Sequence, residues 1–485
     1  MFTFIGGIIL LIVGYFTYGK FIEKVFGIKP DRPTPAITKH DGVDYLPLPK
    51  RKNAMIELIS IAGVGPIFGP IMGALYGPVA FLWIVLGCIF AGAVHDYLTG
   101  MISIRNGGAH LPQLAGKFLG KYMKHLVNLF SVILLLLVGT VFVSSSASLI
   151  FDLFNGSIAL VTLITIIFGY YILSTMLPID KIIGKLFPIF GIFLLVGTLS
   201  LGVSLVINQA PIPEISITNM HPENTPVFPL LFLVISCGAL SGFHATQSPI
   251  ISRTTKNEKE ARSIFYGMMI VEGIIAMVWA AAAMSLFGET VTLNELIQTI
   301  GTGGIVSEVG TMMLGSILGT VLVMSVIFLP LSSGDTAFRS ARMIIADYFN
   351  ISQSKIAKRL IIALPLFTIS VILTNMDFTL LWRYFSWANQ SLAVIALWVA
   401  SMYLFIAKKN YWIAMLPGIF MTYVTTAYIL NAEIGFRLPM NITYILSAVM
   451  TIGIIALFYK YAQQNTKNNM QIEENIPVNP GAGAA

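Results

Sequence analysis

The sequence predicts an all-α polytopic membrane protein, and three observations lead to that class. Of the 485 residues, 56% are hydrophobic and 11% are charged, whereas soluble domains carry roughly 25% charged residues. The apolar residues fall into runs of about 20, the length that a helix needs to cross a bilayer. The basic residues are concentrated in alternate connections between these runs, as the positive-inside rule requires.

Thirteen apolar segments have the length of a membrane span. The first, residues 2–18, is followed rather than preceded by basic residues, so we interpret it as a retained helix and not as a signal peptide. The other twelve are residues 56–75, 79–103, 125–150, 158–177, 186–207, 228–249, 264–287, 308–332, 357–375, 379–406, 411–430 and 440–461.

The distribution of charge orients these segments. If the connection after the first segment is cytoplasmic, 27 of the 29 basic residues lie on the inner side. Arg383 and Arg437 are the two on the outer side. A miscounted segment would reverse every later connection, so we predict about 13 transmembrane helices with the N-terminus outside and the C-terminus inside.

The order of the segments predicts a five-plus-five inverted repeat with a discontinuous first helix in each half. Because five is odd, the second set of five must be inverted relative to the first. The first helix of each set is interrupted by small residues, AGVGPIFGP at 62–70 and CGALSGFHATQSP at 237–249. Matching breaks in two inverted halves indicate the binding site of a secondary transporter. The alternative is that the small residues only let helices pack closely.

This order divides the chain into six parts. They are an extra helix with a basic cytoplasmic loop (1–55), the first repeat (56–207), an extracytoplasmic loop (208–227), the second repeat (228–406), two additional helices (407–462) and a disordered tail (463–485).

Candidate substrate-binding residues lie mainly at the two breaks. Broken helices offer backbone N–H groups at the positive end of a helix dipole, which suits a carboxylate. Two polar residues of the eleventh segment, Asn389 and Gln390, either line the same cavity or bridge helices. The full predicted set is Gly63, Gly65, Pro66, Gly69, Ser241, Gly242, His244, Gln247, Asn389 and Gln390.

A second group consists of ionisable residues in or near apolar segments, which are costly there and therefore indicate function. Glu272 and His244 could carry a proton, whereas Asp96 could form an inner gate with Arg105. Interhelical hydrogen bonds or ion pairs are the competing interpretation for each. The predicted proton-coupling or gating residues are His244, Glu272, His95, Asp96 and Asp335.

The remaining charges and the cysteines predict no catalytic or metal centre. Cys88 and Cys237 lie in apolar runs and are interpreted as packing residues, because no CxxC or HExxH spacing is present. Asp335 and Arg339 have helical i, i+4 spacing and could pair. Arg383 either attracts anions or pairs with Asp377. We predict no cofactor and no nucleic-acid partner, and the lack of a Walker A sequence argues against ATP drive.

Five motifs together resemble the carbon starvation protein A family. They are IAGVGPIFGPIMGA, AGAVHDYLTGMISIRNGGAHLPQL, SCGALSGFHATQSP, PLSSGDTAFRSAR and FSWANQSLA, and they extend roughly over residues 62–393. The resemblance implies the amino acid–polyamine–organocation superfamily, with a five-plus-five core like that of the leucine transporter. It also implies proton-coupled uptake of peptides or pyruvate. The chain looks like a short form, with one helix before the core and two after it.

The resemblance also bears on the coupling ion. In sodium-coupled members of the wider superfamily, a hydroxyl pair on the equivalent helix helps to hold sodium. Ser332 and Ser333 could do the same here, or they could only cap a helix. Oxygen ligands suit such a hard cation. A proton is the favoured coupling ion, with sodium as the second candidate.

The sequence therefore predicts a secondary-active transporter in a bacterial or archaeal cytoplasmic membrane, importing a monocarboxylate or short peptide by alternating access. Its oligomeric state is left open. Two other functions compete with it. Ser241 and His244 could form the nucleophile and base of an intramembrane hydrolase, although a third orienting group is lacking. A nutrient sensor could dock a partner on the basic loop 20–52.

Overall fold

The computed structural model describes residues 1–42, 44–154, 156–177, 183–353 and 355–474. These residues form helices with irregular connections between them, and one isolated β-bridge pairs Leu48 with Thr255. The α-helices are α1 Phe2–Phe16, α2 Tyr18–Phe26, α3 Pro35–Thr38, α4 Lys50–Ala62, α5 Gly65–Gly73, α6 Val79–Gly87, α7 Ala93–Arg105, α8 Leu111–Leu119, α9 Lys121–Leu153, α10 Leu160–Met176, α11 Ile183–Ile207, α12 Val227–Val234, α13 His244–Ser252, α14 Gly267–Leu286, α15 Thr290–Tyr348, α16 Ile356–Leu373, α17 Phe378–Ile406, α18 Trp412–Asn431 and α19 Met440–Lys467. A π-helical stretch, Cys88–Gly92, joins α6 to α7, and another, Arg262–Tyr266, leads into α14.

The protein is a multi-pass membrane protein. Within the described ranges, ten helices are long and apolar enough to cross a bilayer, or eleven if the bent pair α4–α5 is one span. The two other predicted segments do not meet that standard. One is α10, which has 17 residues, and the other is interrupted between α12 and α13. The count of thirteen and the inverted repeat therefore remain predictions.

The longest helical run, α15, has 59 residues and is far longer than a bilayer span. It is broken at Gly301 and Gly315, whose φ angles of 70° and 71° are accessible mainly to glycine. Its last part continues to Tyr348, well into the inner connection expected between the segments 308–332 and 357–375. The polar residues there were expected to lie in a connection, yet Arg339 and Arg342 are buried rather than solvated.

Both predicted helix breaks are present. Helices α4 and α5 meet at an angle of 46°, and Gly63 between them has φ 51°. The second break is wider, because the chain from Ile235 to Phe243 is not helical. Gly238 in this stretch has φ 89°. The two interruptions lie against each other in the interior.

Close packing explains the other glycines of the first motif. A Cβ atom at Gly65 would lie 2.3 Å from the Cys237 side chain, and one at Gly69 would lie 2.8 Å from the Val234 carbonyl oxygen. Gly73 meets the Ile235 side chain in the same way, at 2.3 Å. The glycine face of α5 is therefore in direct contact with the second break, so one motif serves both interpretations: Gly63 breaks the helix and the later glycines pack it.

The C-terminal segment is structured further than the sequence indicated. A disordered tail was expected from residue 463, but α19 continues to Lys467, and the amide of Glu474 still donates to the Arg105 carbonyl. The rest of that tail, residues 475–485, lies outside the described residues.

Candidate functional site

Five ionisable side chains meet beside the two breaks. They come from α4, α7, α13 and α14, and each is fully buried; they are Glu57, His95, Asp96, His244 and Glu272. We call them the central cluster. The sequence singled out four of them, and the structure brings those four together.

His244, the first residue of α13 after the second break, lies between two carboxyl groups of this cluster. Its Nδ1 atom lies 2.8 Å from Asp96 Oδ2, and its Nε2 atom lies 3.5 Å from Glu272 Oε2. The other oxygen of Asp96 lies 2.8 Å from Nδ1 of His95. Asp96 thus bridges two imidazoles, and His244 links α7 to α14.

Glu57 is the member of the central cluster that sequence reasoning missed. Neither of its carboxyl oxygens has a hydrogen-bond partner among the described residues, and it interacts electrostatically with Asp96, His244 and Glu272. The signal was available, since Glu57 stands in the apolar run AMIELISIAG, six residues before Gly63. Glu57 lies next to the start of the predicted segment 56–75, and it was given no role in the predictions from sequence.

The charges of the central cluster do not balance by themselves. It contains three carboxyl groups and two imidazoles, and in the described part of the chain no lysine or arginine forms an ion pair with any of the three acids. Buried charges are strongly destabilising unless they are neutralised. The cluster therefore needs protons or another cation, and an arrangement of this kind can exchange them.

Ser333 of α15 completes the first break. Its hydroxyl accepts a hydrogen bond from the Gly63 amide at 3.0 Å and donates one to the Ile59 carbonyl at 2.8 Å. Ser332 instead donates to the Phe328 and Leu329 carbonyls of its own helix. The two serines predicted as a possible sodium pair thus have different partners in this conformation.

Two amides of α17 satisfy the backbone of the second break. Asn389 Oδ1 accepts from the Phe243 amide at 2.6 Å and is paired with the Ser241 hydroxyl. Gln390 Nε2 donates to the Leu240 carbonyl at 2.9 Å. A Cβ atom at Gly242 would lie 2.0 Å from the Asn389 carbonyl oxygen. Of the two roles considered for these amides, helix bridging is the one that the contacts display.

Ser241 does not face His244 as a nucleophile would. Its hydroxyl contacts Asn389 and Cys237, while both nitrogens of His244 are directed at carboxylates. Gln247, one turn into α13, is buried and donates to Thr246. Pro66 lies in the first turn of α5, where its missing N–H breaks no helical hydrogen bond.

Three other predicted pairings differ in the structure. Asp335 accepts hydrogen bonds from Ser174 and Tyr170 of α10 instead of forming an ion pair with Arg339. Arg105 pairs with Glu258 at 2.9 Å and not with Asp96. Arg383 pairs with Glu433, while Asp377 caps the start of α17. These partners lie far away in sequence, which is why local spacing did not predict them.

A cavity of about 360 Å³ lies on the predicted outer side of the breaks. It is lined by α9, α10 and the starts of α15 and α17, including Ser144, Ser145 and Ser148. Phe68 of α5 lies at this cavity and its ring is 6.2 Å from that of Trp382. The aromatic contacts continue inward through Phe385 to Phe142, which packs against Gly63.

Two members of the central cluster, together with Cys237, offer a set of atoms that could ligate a metal. One ligand atom each from Cys237, His244 and Glu272 lies within 4.8 Å of the others, and all three residues are buried. Cys237 was interpreted from the sequence as a packing residue, because Cys237, His244 and Glu272 do not have the spacing of a known metal-binding motif. The second break brings them together.

The fold and the buried ionisable site at two broken helices define a membrane transporter. The chain belongs to the carbon starvation protein CstA family, whose model matches residues 1–189, 152–303 and 293–428. This family was the one predicted from the five motifs.

Its relatives extend this similarity. A membrane protein of Haemophilus influenzae is 47% identical over 60% of this chain and 92% of its own length. The peptide transporter CstA of Bacillus subtilis is 25% identical over 98% of this chain and 99% of its own. The pyruvate/proton symporter BtsT of Escherichia coli is 25% identical over 58% of this chain, and the match covers 48% of BtsT. The Bacillus subtilis and Escherichia coli relatives are named as transporters.

A solved structure shares the fold. The manganese transporter of Eremococcus coleocola superposes with a TM-score of 0.55 and 14% identity, over 89% of this chain and 98% of that chain. At this identity the likeness concerns the fold alone.

Proposed function

We propose that the protein is a secondary-active transporter that imports a small carboxylate-bearing nutrient, pyruvate or a short peptide, by alternating access in symport with protons and in response to carbon starvation. The observation that carries this proposal is the central cluster, with three fully buried carboxyl groups and two imidazoles beside two broken helices. Peptide and pyruvate transport are activities of named relatives, which supports the substrate class.

Substrate recognition is assigned to the breaks. Helices α5 and α13 both begin there, so the positive ends of two helix dipoles lie close to the same region. The carboxylate would approach the backbone at Gly63, Gly65 and Gly69 from the outer cavity. At about 360 Å³ that cavity is within the range of roughly 300–1,000 Å³ that is common for small-molecule sites.

Proton coupling follows from the charge imbalance of the central cluster. Ionisable groups inside a membrane generally mark proton or ion pathways. Movement of the α4–α5 or α12–α13 break would alter the distances from His244 to Asp96 and Glu272, and with them the number of protons that the cluster holds. Sodium at Ser332 and Ser333 is the second candidate for the coupling ion.

The architecture proposed for this cycle has about 13 transmembrane helices, the N-terminus outside, and a leucine-transporter-like core of two inverted five-helix repeats. The two halves would rock around the central cluster in the cytoplasmic membrane of a bacterium or archaeon. The matching order of segments, the two breaks and the charge asymmetry support this arrangement.

Uptake into proteoliposomes tests the proposal. With an acidic exterior, the parent protein should accumulate radiolabelled pyruvate or a short peptide above equilibrium. Glu272→Gln should lose this accumulation but retain exchange of labelled for unlabelled substrate, because only the driving proton is removed. Glu295→Gln, in the exposed outer part of α15, is the matched control and should behave as the parent. The proposal is wrong if no carboxylate or peptide accumulates under either a proton or a sodium gradient.

A further inference from the structure

The arrangement of Cys237, His244 and Glu272 has chemistry that proton-coupled uptake does not require. A thiol, an imidazole and a carboxylate converge from the second break and α14. A proton carrier needs the acid and the imidazole, but it has no use for the sulfur. The thiol lies 3.5 Å from the Ser241 hydroxyl and also interacts with the imidazole of His244.

The orientation of His244 leaves a ligand atom free. An ionised carboxylate is only an acceptor, so the 2.8 Å contact with Asp96 places the ring proton on Nδ1. The Nε2 atom then has a lone pair, and it has no hydrogen-bond partner in the described parts of the chain. Metal-binding histidines usually have this arrangement, with the distal N–H donated to a carboxylate.

The surroundings favour a cation at this point. The Nε2 lone pair faces Glu272 Oε2 at 3.5 Å, and two electron-rich atoms at that distance repel each other unless a cation lies between them. Asp96 and Glu57 add negative charge nearby. Sulfur, imidazole nitrogen and carboxylate oxygen are the ligands that zinc combines in proteins.

We propose that Cys237, His244 and Glu272 bind a divalent transition-metal ion of the zinc type. The three ligand atoms now lie within 4.8 Å of one another. To form zinc bonds of about 2.0–2.3 Å they must come closer together by about 1 Å, which rotation of the side chains can supply. Asp96 acts as a positioning residue for the imidazole. This site goes beyond the proposed function, because the ion would compete with the coupling proton and inhibit uptake.

Zinc binding to the purified protein tests the site without any transported substrate. The parent should bind one Zn²⁺ per chain in competition with a chromogenic chelator. Cys237→Ser should weaken that affinity at least tenfold. Cys88→Ser is the matched control, because Cys88 is equally buried but its thiol bonds the Met269 carbonyl instead. Asp96→Asn should weaken Zn²⁺ binding roughly 10- to 100-fold, as expected for an outer-shell partner of a metal-binding histidine.

The absorption spectrum of bound Co²⁺ shows directly whether the Cys237 thiolate is a ligand, which a purely structural role of Cys237 would not affect. Co²⁺ bound to the parent and to Cys88→Ser should show a thiolate-to-metal absorption band, which Cys237→Ser should lack. If Cys237→Ser does not fold, Glu272→Gln replaces it in the Zn²⁺ titration. Equal Zn²⁺ affinity in the parent, Cys237→Ser and Glu272→Gln would overturn the proposal. Loss of uptake in metal-free buffer bears on the transport function and leaves this result unaffected.

Discussion

Ser333 and Gly63 lie 3.0 Å apart, hydroxyl oxygen to amide nitrogen, and this contact joins α15 to the break between α4 and α5. The same hydroxyl donates to the Ile59 carbonyl. One buried side chain thus replaces hydrogen bonds that the broken helix cannot make for itself. Irregular backbone at membrane depth depends on such partners.

Ser333→Ala should therefore destabilise the protein. Leaving a buried N–H and a buried C=O unsatisfied costs about 1–3 kcal/mol, which should appear as a lower midpoint of thermal unfolding in detergent. The neighbouring Ser332→Ala is the control, because that hydroxyl bonds only carbonyls of its own helix in the described structure. Equal shifts for the two variants would mean that Ser333 does not support the break.

Gly65→Val should abolish uptake while leaving membrane insertion largely intact. The first added atom would already lie 2.3 Å from the Cβ and Sγ atoms of Cys237, so α5 would be forced away from the second break. Uptake in whole cells and the amount of protein in the membrane measure the two effects. Gly169→Ala on α10 is the control, because a Cβ there meets nothing within 4 Å. Normal uptake by the valine variant would show that the contact is not needed for transport.

Glu57→Gln should make the protein more stable and less active. The carboxyl group of Glu57 is fully buried without a hydrogen-bond partner among the described residues. The amide cannot carry a buried negative charge, so the substitution removes the repulsion of Glu57 with Asp96 and Glu272. Uptake driven by a proton gradient should fall, because the central cluster loses one proton site.

Glu258→Gln is the comparison for Glu57→Gln, because Glu258 is a buried glutamate that does have a partner. Its carboxylate pairs with Arg105 at 2.9 Å, so the same chemical change should lower the unfolding temperature. If Glu57→Gln lowers it as much as Glu258→Gln does, Glu57 has a structural partner in the folded protein.

The contacts of Glu473 should hold the C-terminal segment on the inner side at all physiological pH values. Burial alone would raise the pKa of Glu473, but Arg105, together with hydrogen bonds from Lys29 and Arg32, lowers it to about 2. A lowered folded-state pKa means that the stabilisation is present above the ordinary glutamate value and is lost as the pH falls towards about 2. Between pH 5 and pH 8 the contacts should not change.

Labelling of a cysteine introduced at Ile472 measures release of this segment. Glu473→Gln should speed the reaction, with no pH dependence of the release between pH 5 and pH 8 once the intrinsic reactivity of the thiol is corrected. Glu474→Gln should have less effect, because Glu474 is more exposed and its carboxylate pairs with Lys39 at 3.3 Å. Release of the parent segment near pH 6 would contradict the prediction.

Ser148→Cys should react with a membrane-impermeant thiol reagent added outside intact cells. Ser148 lines the outer cavity and is exposed, and both native cysteines are buried. Lys259→Cys, in the connection predicted to be cytoplasmic, should react only after the cells are permeabilised. The reverse pattern would invert the orientation derived from the basic residues.

Sequence reasoning was most successful where the bilayer imposes a one-dimensional rule. Span length and the cytoplasmic bias of basic residues require no knowledge of which helix touches which, so the class of protein and most helices were predictable. The five motifs identified the family, which the family model confirms. The breaks at Gly63 and Gly238 were also predictable, because glycine and proline act on the local backbone.

Pairing between distant residues was not predictable in this way. No role was predicted for Glu57, which α4 places near Asp96 and His244. Cys237 was interpreted as a packing residue, whereas the second break places its thiol near His244 and Glu272. Arg105 forms ion pairs with Glu258 and Glu473, which lie 153 and 368 positions away in the sequence.

The sequence by itself thus determined that the chain is an all-helical, multi-pass membrane protein with two interrupted helices and buried ionisable groups. Only the tertiary structure decided which of those groups share one site. The reason is physical: hydropathy and backbone propensity are properties of a segment, whereas the energy of a buried charge depends on its neighbours in space. At the centre of this protein those neighbours come from α4, α7, α13 and α14.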